Sequence, residues 1–241
     1  MRSPPHVQRP LLRKLNGMRE ALSRPVATAA LTVAAGATDL LALTVLGGAF
    51  ASIVTGNLIM FGYGISTTDP HRVIPAAVAV LGYAAGVLIW SWIWRSRPTA
   101  VRGPLIAELV LLVIVAAGLV MTGEEPAIVP ARLLLAGAAV AMGGQSTVGL
   151  RLGAATTYMT GLVATTTRDQ ATGRHRAVAP TLFTLTALVA GSAAAAAFLA
   201  GPRWPAALLE PVMVGTAIVL LPAKIETAGP NAPAPPARHL R

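Results

Sequence analysis

The sequence predicts an all-α protein: a polytopic membrane helix bundle of six spans with two short re-entrant or broken segments, built as an inverted repeat. Three observations lead there. Residues 73–94, 133–150 and 177–201 contain no Asp, Glu, Lys or Arg, while 25–49 contains only Asp39 and 103–123 only Glu108. A helix crossing the hydrocarbon layer, roughly 30 Å thick, needs about 20 mostly apolar residues. The chain is 54% hydrophobic and 12% charged, with a mean hydropathy of +0.66, against about 25% charged for an average soluble domain. Finally, the basic residues that give the net charge of +10 fall between the apolar runs, as expected of loops facing an anionic leaflet.

Residues 1–25 read as a basic cytoplasmic segment. Leu11, Leu12, Leu15, Met18 and Leu22 share one helical face with Arg13, Lys14 and Arg19 elsewhere, the pattern of a short helix lying on the membrane surface. The apolar run that follows is too long for a signal-peptide core and is interrupted by Asp39, so a retained first helix is expected. Residues 26–222 form the transmembrane domain, with spans at 26–48, 73–94, 104–122, 128–150, 178–200 and 206–222. The Pro/Ala-rich tail, 223–241, has no apolar period and is expected to be disordered.

Two shorter, more polar segments interrupt this pattern. Residues 50–65 (FASIVTGNLIMFGYGI) follow the first span and 152–167 (LGAATTYMTGLVATTT) follow the fourth. Val54-Thr55-Gly56 matches Met159-Thr160-Gly161 at an offset of 105, and Ala85-Gly86 matches Ala190-Gly191 at the same offset. That coincidence predicts a duplication, with repeat one over 26–122 and repeat two over 128–222. If both short segments turn back, sixteen basic residues lie inside and Arg72, Arg132 and Arg203 outside, which the positive-inside rule prefers to full crossings. Three spans per repeat then invert the second copy, as in many secondary transporters, with both termini cytoplasmic.

Broken backbone at membrane depth is tolerated where it is buried in protein or lines a polar cavity. The candidate substrate- or ion-binding residues are therefore Asp39, Thr55, Gly56, Asn57, Gln145, Thr160 and Gly161, converging near mid-membrane with Asp39 as the titrating group. A carboxyl in a span faces the interior or water; its structural reading is a hydrogen-bonded lock between helices. Thr55 and Asn57 could coordinate a small solute, or could satisfy the backbone groups freed by the break. Gln145 holds in repeat two roughly the place of Asp39 in repeat one.

Other chemistries find no support. There is no cysteine, so thiol catalysis and Cys-ligated metals are excluded. His6, His71, His175 and His239 are scattered without metal-ligand spacing, and no P-loop, Gly-x-Ser-x-Gly or His-Glu-x-x-His occurs. No enzyme activity, cofactor or nucleic-acid partner is expected. The predominance of Arg over Lys suggests a high-GC bacterial genome.

Ala35-Gly36-x-x-Asp39, Phe50-Ala51-Ser52-Ile53-Val54-Thr55-Gly56-Asn57, Ala141-Met142-Gly143-Gly144-Gln145 and Thr156-Thr157-Tyr158-Met159-Thr160-Gly161 together resemble the YoaK family of bacterial integral membrane proteins, a domain of unknown function. The resemblance covers residues 26–222. It implies the membrane class and the motif positions and supplies no substrate. The expected function is a small-solute or ion transporter or permease of the inner membrane, whose partners are the lipid bilayer and a small solute or proton. The alternative is a non-transporting membrane protein acting in assembly or signalling through helix packing.

Overall fold

The chain is all-helical in a computed structural model that describes residues 5–123, 126–154, 159–173, 177–201 and 204–223, with side chains from residue 23 onward. The expected tail, Glu124-Glu125, Thr156-Thr157-Tyr158, Arg174-His175-Arg176 and Arg203 lie outside these residues, as do the side chains of the expected surface helix. Among the described residues there are eight helices: α1 (Pro5–Thr44), α2 (Val54–Ser66), α3 (Pro70–Ile93), α4 (Arg102–Thr122), α5 (Ile128–Leu152), α6 (Met159–Ala171), α7 (Ala179–Leu199) and α8 (Trp204–Leu220). Ser23–Thr44 of α1, α3, α4, α5 and α7 are each long and apolar enough to cross a membrane, and α8 is a shorter apolar helix. Large apolar side chains such as Leu81, Leu88, Leu133 and Val219 point outward, while much of the interior is alanine and glycine, as expected where lipid rather than water surrounds a bundle. The protein is a helical membrane bundle.

Two expectations at the N-terminal side need correction. Residues 5–22 do not end before the first span but run into it as one 40-residue helix. The first span also stops at Thr44, short of residue 48. Gly47 (φ 124°) and Gly48 (φ 85°) take left-handed backbone conformations that only glycine adopts without a Cβ penalty, and Gly47 packs 3.4 Å from the Pro75 ring if given a Cβ. The chain thus unwinds over residues 45–53 before α2.

The two polar segments are helical, but each helix has only 13 residues. At 1.5 Å per residue that is about 20 Å, well short of a crossing. Val54-Thr55-Gly56 are the first three residues of α2, and Met159-Thr160-Gly161 are the first three described residues of α6. Helix α2 leans on α3, and α6 on α7.

Helix packing exchanges partners between the halves. α1 packs on α7 and α8, α5 packs on α3 and α4, and α4 and α8 meet each other. Close approach at glycines makes these crossings possible. A Cβ on Gly36 would overlap the Leu188 carbonyl oxygen, and one on Gly143 would overlap that of Tyr83. Likewise a Cβ on Gly191 would overlap the Val33 carbonyl, and one on Gly86 that of Val140. The pairs Gly36/Gly143 and Val33/Val140 share a spacing of 107, while Gly86/Gly191 and Tyr83/Leu188 share the 105 seen in the sequence.

Two apolar clusters fill the interior. One gathers Leu41, Leu46, Leu119 and Leu135 toward the end of α1; the other gathers Leu31, Leu105, Val148 and Leu221 toward its start. At that second end the chain is tied by backbone acceptors. Arg102 Nε donates to Leu221 O at 2.6 Å, Arg151 Nη1 to Ala100 O at 2.8 Å, and Val101 N to Ala223 O at 3.2 Å.

Candidate functional site

Asp39 lies five residues before the end of α1 and is 5% exposed. Its carboxylate holds the returning chain: Ser52 N donates to Oδ1 at 2.7 Å and Ser52 Oγ to Oδ2 at 2.6 Å. Charge-assisted bonds of this length are stronger than neutral ones, and they satisfy backbone that no helix satisfies. Five residues on, Asn57 completes the bracket. Its Oδ1 accepts from Phe50 N at 2.9 Å and its Nδ2 donates to Phe50 O at 2.6 Å, so a side chain in the first turn of α2 replaces both bonds that Phe50 lacks. Gly56 leaves space for this fold-back, because a Cβ there would stand 3.3 Å from Ile53 Cγ2 and 3.4 Å from the Phe50 ring.

The seven residues expected at one site divide into separate places. Asp39 and Asn57 are joined through the segment 50–52. Gln145 is fully buried but donates Nε2 to Leu31 O at 3.0 Å, about two helical turns from Asp39 along α1. Thr55 and Thr160 are exposed, and Gly56 and Gly161 are half-buried at the starts of their helices. The expected single network is therefore not formed, because the break of residues 45–53 takes up the polar groups of Asp39 and Asn57 itself. At the spacing of 107 that relates Gly36 to Gly143, the position matching Asp39 is Ser146, which accepts from Tyr83 Oη at 2.7 Å and donates to Met142 O at 3.0 Å.

Two carboxylates that the sequence reading did not assign complete the interior. Glu210 is 4% exposed, lies within reach of the Thr38 hydroxyl and interacts electrostatically with Asp39. Beside it is a cavity of about 10 Å³, lined by Thr38, Leu41, Leu46, Ala138 and Glu210 among others, enough for a single water. Glu108 is fully buried and within electrostatic range of Glu210. Each is the seventh residue of its helix, in α4 and α8, and these two helices touch. A larger cavity of about 790 Å³ opens where the apolar span of α1 begins, lined by Arg24, Thr28, Leu162, Thr166 and Thr181; there the Thr166 and Thr181 hydroxyls lie 2.8 Å apart.

The sequence that forms this bundle matches a known group of proteins. A family model described as "Protein of unknown function (DUF1275)" matches residues 27–221. The chain belongs to the DUF1275 family. It is 28% identical over 160 residues to the UPF0700 transmembrane protein YoaK of Bacillus subtilis (strain 168), a match that covers 63% of this chain and 69% of that protein. No solved structure matches.

The family range takes in both short helices, the buried carboxylates Asp39, Glu108, Asp169 and Glu210, and the Leu221 carbonyl that accepts from Arg102. Within this DUF1275 chain the signal that could have found Glu108 and Glu210 is positional. Each is the one carboxylate of its apolar run, as Asp39 is of its own, and each sits at the same depth from the helix start. Glu108 reads as a boundary charge only while its helix start at Arg102 is unknown.

Proposed function

We propose that the protein is a small-solute or ion transporter of the inner membrane, with six spans (Ser23–Thr44 of α1, then α3, α4, α5, α7 and α8), two half-length helices, inverted repeats and both termini cytoplasmic. The observation that carries this reading is the pair of short helices, 13 described residues each, that carry Thr-Gly near their starts at matching places of the two halves. Such discontinuities in paired positions are what solute and ion sites in secondary transporters are built from. The reciprocal glycine crossings support a two-fold relation between halves, since α1 stands to α7 as α5 stands to α3. The arginines support the orientation: Arg102 and Arg151 gather at the end where α1 begins, and Arg72 stands at the other. In this reading Asp39 and Asn57 hold the first break at depth, and the larger cavity between α1, α6 and α7 is the cytoplasmic vestibule.

The test is purification and reconstitution into proteoliposomes, with currents and tracer flux recorded under imposed gradients of small inorganic and organic ions. Gradient-driven flux that Asn57→Leu reduces is expected. Intact, folded protein that moves none of them favours a second reading, in which the bundle serves assembly or signalling through packing. That reading has its own observation: the interior cavity beside Glu210 holds only about one water (10 Å³), and Asp39 and Asn57 are both occupied by the backbone of residues 50–52.

A further inference from the structure

We propose that Glu108 is a proton-binding residue whose bound proton is donated to Gln145 Oε1, in an interior site within electrostatic range of Glu210.

Glu108 Oε1, Glu108 Oε2 and Gln145 Oε1 are buried oxygens without a hydrogen-bond partner, and both residues are fully buried. Leaving one such group unsatisfied costs roughly 1–3 kcal/mol, and more if it is charged. The three oxygens belong to one region. On α4, Leu105 and Leu112 flank Glu108 one turn to each side; on α5, Ala141 and Val148 flank Gln145 in the same way. All four residues pack in a single cluster with Leu31, whose carbonyl accepts the Gln145 amide. The Glu108 and Gln145 side chains therefore leave adjacent helices toward the same place, and the amide already committed to Leu31 fixes Gln145 with its oxygen free.

An ionised Glu108 offers only acceptors to an acceptor. A protonated Glu108 offers one O–H, and that single proton satisfies Gln145 Oε1 and removes the buried charge. A proton also needs no coordination shell, whereas a metal cation takes six or more oxygens in a place packed with Leu and Ala. The charged groups facing the site agree with this occupant. From α8 comes Glu210, and behind it on α1 Asp39, which is held by Ser52. Two like charges sharing a low-dielectric interior repel one another. Arg102 of α4 and Arg151 of α5 are engaged elsewhere, with Leu221 O and Ala100 O. From α3, Trp90 contributes a neutral N–H, bonded to Pro104 O at 3.1 Å.

The site gives the proposed transporter its coupling ion and rests on that reading only for its role. Its existence is tested separately, by infrared difference spectroscopy of the full chain in lipid nanodiscs as pH is raised. A protonated carboxylic-acid C=O band that shifts in deuterated buffer is expected, lost in Glu108→Gln and moved to higher frequency in Gln145→Leu, where its hydrogen bond is gone. The same spectrum in Glu108→Gln overturns the proposal. So does loss of the band on adding sodium at constant pH, which would make the occupant a metal cation. Should Glu108→Gln fail to fold, an unshifted band in Gln145→Leu overturns the assignment on its own. Flux that ignores pH while the band persists removes the transport reading and leaves the proton site. Flux without any acid band does the reverse.

Discussion

Ser52 presents both its backbone N–H and its hydroxyl to the two oxygens of Asp39, at 2.7 and 2.6 Å. One side chain in the last turns of α1 thereby fixes how far the unwound chain returns into the bundle. The bond pattern is local, spanning 13 residues, yet it decides the depth at which α2 begins.

Asp39→Leu orphans two buried donors, and each orphan costs roughly 1–3 kcal/mol. Thermal unfolding in detergent should show a large fall in melting temperature. Asp39→Asn retains an acceptor for Ser52 N and should fall much less, with Ser52→Ala between them. Equal losses in Asp39→Asn and Asp39→Leu would mean that charge rather than hydrogen bonding holds the break.

Gly86→Ala and Gly191→Ala each drive a methyl group into a carbonyl of the facing helix. Overpacking of this kind costs about 1–3 kcal/mol or more. The two variants should be similarly destabilised, as measured by the fraction of folded protein on size-exclusion chromatography after heating. Gly62→Ala and Gly215→Ala, where nothing lies within 4 Å of the new Cβ, should match the parent or exceed it slightly, because alanine favours helix.

The absence of cysteine makes every introduced thiol unique, so sidedness is directly measurable. Single cysteines at Thr68 and Thr122 should react with a membrane-impermeant maleimide added to whole spheroplasts. Cysteines at Thr99 and Ala223 should react only after lysis. Labelling of all four from one side would refute the proposed six-span arrangement.

Gly144 makes room for Trp90, since a Cβ there would come within 2.6 Å of the indole. Gly144→Ala should therefore displace the ring and break its bond to Pro104 O, a loss of about 1 kcal/mol, with a red-shifted tryptophan emission. In a Trp90→Phe background the same substitution should leave the emission unchanged, which separates Trp90 from Trp92, Trp94 and Trp204.

The spans were legible because lipid imposes length and composition on every crossing: five of six expected runs coincide with long apolar helices, and the sixth with α8. The Thr-Gly pairs stand at a spacing of 105 in the sequence, and each falls in the first turn of a short described helix. The separation of Asp39 from Gln145 was not legible. It required knowing that residues 45–53 bend back far enough for Ser52 to reach Asp39, and that path depends on Gly47 and Gly48 rather than on any apolar pattern. The carboxylates of α4 and α8 were hidden for a different reason. A charge near the end of an apolar run looks like a boundary until the neighbouring helix is known to cover it.

The exchange of partners between halves also bears on how the protein is made. The helices that cover α1, namely α7 and α8, leave the ribosome after the other described helices. Until they arrive, the small-residue face around Gly36 has nothing packed against it. The first half therefore cannot mature alone, and the start of α4 stays untied until Leu221 and Ala223 have been synthesised. Quality control in the membrane meets this chain as a half-built bundle whose closure waits for α7 and α8.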